Sequence, residues 1–176
     1  MLDRNHYLVE ANLALLEQGL QLLVSLDDET YSQRLHLLFS NRIGAQVRHV
    51  LEFYECFLDG LPEGHIDYDA RKRDERVEIS RAAASEKLQA LIGRLASATV
   101  RGEDGLVWVR MEDAPAALGD DALLTSSVSR ELQVLISHTV HHYALIAVAL
   151  RMQGQAVDAN FGIAPSTLRH QQKRAA

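Results

Sequence analysis

The sequence holds one cysteine, three prolines and ten glycines among 176 residues. A lone cysteine, Cys56, closes no internal disulfide, which excludes a disulfide-stapled scaffold and fits a reducing cytoplasm. So few prolines and glycines leave room for long helices. A basic surplus is also missing. Lys and Arg number 18 against 24 Asp and Glu, for a net charge of −6. That balance argues against non-specific nucleic-acid binding, so no nucleic-acid partner is expected. No apolar run reads as approaching the ~18 residues of a membrane span. The N-terminus MLDRNHYLVE lacks the basic, apolar and small-residue parts of a signal peptide. The expectation is a cytoplasmic protein without a membrane partner.

What is present is an ordinary globular balance, 47% apolar and 24% charged. A chain of this length buries a core without metal or disulfide support. One domain over 1–168 is expected, with 169–176 as a flexible tail. Aromatic residues are only 6% of the chain, yet histidines number eight.

Periodicity places four long helices. Leu2 to Leu26 repeats leucine and valine at three- and four-residue steps. A connector follows, with room for one helical turn at Tyr31. Ser40 to Leu58 carries a stripe from Ile43 through Val47, Val50 and Tyr54 to Phe57, with Ser40 or Asn41 available as cap. Gly60, Pro62 and Gly64 then break the chain. HIDYDARKRDER, residues 65 to 76, reads either as a solvated loop or as an ordered loop held by ion pairs over a pocket. Val77 to Ala96 is the third helix. Leu106 to Met111 alternates as a strand, and Ala122 to Val128 is its hairpin partner across a GDD turn. Ser129 to Met152 is the fourth and most apolar helix, ended by Gly154. The last twenty residues show no period. The expected fold is all-α, a four-helix bundle with a small β-hairpin inserted before the last helix.

Three histidines crowd into SHTVHHYALI. His138 and His142 stand four apart, on one helical face and among apolar neighbours, as a shared metal ion requires. His141 points away. An HxxxH pair alone is a weak signal, and two satisfied core histidines would look the same. A third donor would strengthen it. His49, mid-way along the second helix, is the best candidate, and His6 on the first helix competes. His36, His65 and His170 fall in connectors or the tail. Gln46, one turn before His49, leans inward as a hydrogen-bond partner for the site or as a boundary residue. Glu52 leans to the polar side. Tyr143 reads as core, with a hydroxyl in need of a partner, and Cys56 as a small buried residue. Asp67, Asp69 and Arg71 either line the pocket mouth or pair among themselves.

IGAQVRHVLEFYECFLDGL, IDYDAR, SHTVHHYALIA and FGIAPST, taken in order, resemble the DinB/YfiT-like family. The likeness spans about residues 43 to 168. It implies an up-down four-helix bundle with a divalent metal on three histidines, one from the second helix and an HxxxH from the last; imidazole donors suit zinc or nickel. Carried over, these are His49, His138 and His142. The resemblance also implies a small-molecule substrate, with transfer reactions that use low-molecular-weight thiols among the family's varied activities. Two function classes follow. One is a metal-dependent hydrolase or small-thiol-dependent transferase. The other is a non-catalytic homodimer or ligand-binding, stress-response module with a structural or vestigial site. No metalloprotease HExxH is present.

Overall fold

The computed structural model describes residues 4–34, 42–98 and 104–175. Among them the chain is mainly helical, with one small sheet. Helix α1 (Arg4–Ser25) lies where the first helix was expected. A short α2 (Asp28–Ser32) follows, capped by Asp27, whose carboxylate accepts the Thr30 N–H at 2.7 Å. Helix α3 is Ile43–Gly60. The expected caps Ser40 and Asn41, like His36, lie outside the described residues, and Arg42 precedes α3 without a side-chain cap bond.

The segment after α3 is ordered. Strand β1 (His65–Ile66) was not foreseen, because two residues carry no readable alternation. Asp67 then folds the chain by accepting the N–H groups of Asp69 and Ala70. The single helix expected over Val77 to Ala96 is two: α4 (Glu75–Ile79) and α5 (Arg81–Ser97). Ser80 divides them. Its backbone is extended, and its hydroxyl caps α5 by accepting the Ala83 N–H at 3.2 Å. Val77 in α4 and Ala84, Leu88, Leu91 and Leu95 in α5 are buried at seven-, four- and three-residue steps, so apolar periodicity runs through this break.

Strands β2 (Leu106–Arg110) and β3 (Leu123–Ser127) pair antiparallel, and β1 joins β2 in parallel, so the expected hairpin is part of a three-stranded sheet. Helix α6 (Val128–Met152) begins at Ser127, which caps it. By length and composition α6 could cross a membrane, which corrects the expectation that no segment approaches that size. Here it packs against α1 and α3 as a core helix. The C-terminal stretch read as patternless contains α7 (Pro165–Ala175), none of whose described side chains is buried.

The core lies where α1, α3, α5 and α6 meet. Helix α1 packs on α5 and α6, and α3 packs on the same two. Leu16, Leu23, Leu51, Phe57, Leu88 and Leu132 fill the space, all at or near zero exposure. A polar network crosses this core. Asn12 donates to the Leu8 and Leu132 carbonyls at 2.8 and 3.0 Å. The Tyr54 hydroxyl donates to Asn12 Oδ1 at 2.8 Å, and the Thr139 hydroxyl donates to that of Tyr54 at 3.2 Å. Three helices are thereby fixed in register, since any slip would strand these groups without partners.

Candidate metal centre

Helices α3 and α6 each turn one polar stripe toward the other within apolar surroundings. From α3 come Gln46 and His49; from α6 come His138 and His142. One ring nitrogen from each of the three histidines lies within 4.8 Å of the others. His49 Nε2 stands 3.2 Å from His138 Nε2. That is close to the ~3.3 Å separating two nitrogens on a tetrahedral zinc ion with bonds near 2.0–2.1 Å. The three histidines could hold a metal ion. Among the described residues the cluster contains three imidazoles and no carboxylate or thiol.

Burial tunes the cluster. Loss of solvent pushes His49 down to about 4, helped by the Arg71 and Arg48 charges. It pushes His138 down to about 3, helped by the other histidines and by Arg71. His142 falls to about 4 by burial, then by His49 and His141. Imidazoles that are neutral at pH 7 have lone pairs available to a cation, which protonated ones lack. His142 Nδ1 lies 2.7 Å from Gln46 Oε1. An amide oxygen can only accept, so the His142 proton sits on Nδ1 and Nε2 is left as a donor of electrons. His138 Nδ1 is buried without a hydrogen-bond partner.

Aromatic rings pack one side. Phe53, one turn after His49, stacks on His138 at 3.8 Å between centroids and meets His49 edge-on at 4.9 Å. Tyr68 stacks on Phe53 at 4.9 Å. The Tyr68 hydroxyl donates to Glu131 at 2.9 Å, and the Ser126 hydroxyl donates to the other oxygen of the same carboxylate at 2.5 Å. Burial first, and then the Glu131 charge, raise the Tyr68 pKa, so it remains a donor. Arg71 lies over the Phe53 ring, its Cζ 5.3 Å from the centroid.

Sequence reasoning missed Phe53, Tyr68 and Glu131. Glu131 had a signal: seven residues before His138, it lies on the same face of an apolar helix. Glu52 was read as polar-facing but is 1% exposed. Its carboxylate accepts the Asp74 N–H at 3.1 Å and pairs with Arg48 at 3.5 Å. Asp69 serves the loop, accepting the Asp113 N–H at 2.8 Å. Cys56 is half-buried, with its thiol pushed up to about 11 by burial and the Glu55 charge. Tyr143 donates to the Leu15 carbonyl at 3.0 Å. His6, His65, His141 and His170 are exposed and outside the three-histidine group, although the His141 ring meets that of His142 edge-on at 5.0 Å.

The chain matches no protein-family model, and no solved structure matches it. Over 112 residues, 62% of this chain, it is 34% identical to FK506-binding protein 5 of Rhizopus delemar. The match spans 28% of that protein's length.

Proposed function

We propose that the protein is a divalent-metal-dependent enzyme in an up-down four-helix bundle of the DinB/YfiT type, a hydrolase or small-thiol-dependent transferase. The observation that carries this reading is the approach of three neutral imidazole nitrogens within 4.8 Å in a half-buried site. His49, His138 and His142 would hold the ion, and an all-imidazole set suits zinc or nickel. Three protein donors leave coordination positions for water or substrate, unlike closed four-ligand structural zinc sites. Bound there, the ion would supply Lewis acidity that favours a hydroxide or thiolate near pH 7.

The chain's own residues orient and enclose. Gln46 holds the His142 tautomer. Phe53 packs on His138, and Tyr68 packs on Phe53, which limits water on that side. Glu131 is engaged by two hydroxyls, so its part is to anchor Tyr68. Ligand binding by the Rhizopus delemar relative, as its name describes it, is not carried to this chain, which matches so small a share of that protein.

Metal content decides the reading. Tag-free protein is expected to carry about one zinc or nickel per chain by mass spectrometry, with the ion lost in His49→Ala and in His138→Ala. A parent that takes up neither metal on incubation would overturn it.

A further inference from the structure

Arg71 occupies an unusual place. Its guanidinium is held over the Phe53 ring, and that ring touches both His49 and His138. The side chain is 18% exposed, so it is half-buried yet open to a ligand. Its one carboxylate contact among the described residues is Asp69, at 4.0 Å, beyond hydrogen-bond length. The nearby acids are committed elsewhere. Asp69 Oδ2 takes the Asp113 N–H. Asp67 takes two loop N–H groups and stands 3.9 Å from Arg110. Glu52 is tied to Asp74 and Arg48, and Glu131 to Tyr68 and Ser126.

The three histidines supply no negative charge of their own, so they would leave a divalent ion with both its charges. Arg71, paired with Asp69 only at 4.0 Å, adds positive charge beside Phe53. Like charges across a half-buried site repel more strongly than in water. A ligand with negative charge relieves that repulsion, and a carboxylate matches the planar two-donor fork of arginine. Lysine or a neutral donor would not offer that fit.

Resting on the metal-site reading above, we propose that the natural ligand is a small organic carboxylate, whose charged group is met by Arg71 while a donor atom takes an open position on the ion. Arg71 is then a specificity residue. It selects anions over neutral ligands, and it weakens the ion's binding slightly when no anion is present.

Cobalt(II) tests this, because its visible bands report each change of ligand. The protein is loaded in a zwitterionic buffer, cobalt content is measured, and acetate and imidazole are titrated as an anionic and a neutral probe. In the parent, acetate is expected to bind and to tighten cobalt, as linkage requires. In Arg71→Met, acetate affinity is expected to fall about tenfold, the worth of a charged hydrogen bond. Imidazole affinity should stay the same and cobalt alone should bind at least as well. Arg71→Lys should recover part of the acetate affinity. Equal acetate affinity in the parent and Arg71→Met, each holding one cobalt, would sink the anion assignment and leave the metal reading standing. A cobalt affinity in the parent that acetate does not change would sink it without any variant. A parent that binds no cobalt would remove the metal reading and this inference together.

Discussion

Gln46 Oε1 on α3 lies 2.7 Å from His142 Nδ1 on α6. The pair joins the two helices that carry the histidine cluster and fixes which imidazole nitrogen faces it. Gln46→Leu keeps the bulk and removes the acceptor. Zinc affinity is expected to fall about 10- to 100-fold, as when a ligand histidine loses its hydrogen-bond partner. Gln46→Glu keeps an acceptor and should retain most of the affinity. Competition with a chelating dye reads both. An unchanged affinity in Gln46→Leu would show that the tautomer is set by something else.

Asn12 is 0% exposed and all its polar atoms are engaged. Asn12→Ala leaves the Leu132 carbonyl and the Tyr54 hydroxyl short of partners. Urea unfolding should show a loss of about 2–4 kcal/mol. Tyr54→Phe removes the central hydroxyl alone and should cost about 1–2 kcal/mol.

Gly19 faces the Tyr143 hydroxyl so closely that a Cβ there would collide with it. Gly19→Ala should cost about 1–3 kcal/mol, because Tyr143 must move away from the Leu15 carbonyl. In a Tyr143→Phe background the same change should cost less. Thermal or urea unfolding of the four proteins measures the coupling, and additive losses would refute the contact.

Glu55 bonds Lys87 at 2.7 Å and Lys72 at 3.1 Å. Burial pushes its carboxyl up, but the two lysines outweigh this and leave it below its ordinary 4.5. A carboxyl lowered on folding adds stability above its unfolded value, and that stability is lost as pH falls through the folded value. Glu55→Gln is therefore expected to be less stable than the parent at pH 7 by up to about 1 kcal/mol. The gap should close in acid below the ordinary carboxylate range. Unfolding curves at pH 7, 5 and 3 test the sign.

The long helices were legible because their apolar residues recur at helical steps, and the strand pair because Leu106 to Arg110 alternates. Local chemistry hid the rest. Ser80 ends one helix and starts another by a hydroxyl bond that leaves no mark on periodicity. Helix α7 is polar, so no apolar stripe announces it. Glu52 looked solvent-facing on its own helix, since nothing in α3 shows that the Asp74 N–H will come to its carboxylate.

The sequence by itself determined that His138 and His142 share a helical face, and that His49 and Gln46 share another, because helix geometry follows from spacing alone. It also determined that these faces are largely apolar. Only the tertiary structure decided that the two faces meet, with His49 Nε2 at 3.2 Å from His138 Nε2. It likewise decided that Arg71, twenty-two residues beyond His49, lies over Phe53 beside them. Contacts of this kind depend on how helices cross and where a loop lands. Those are set by the packing of the whole core and by polar groups such as Asn12 and Tyr54 that must find partners across it.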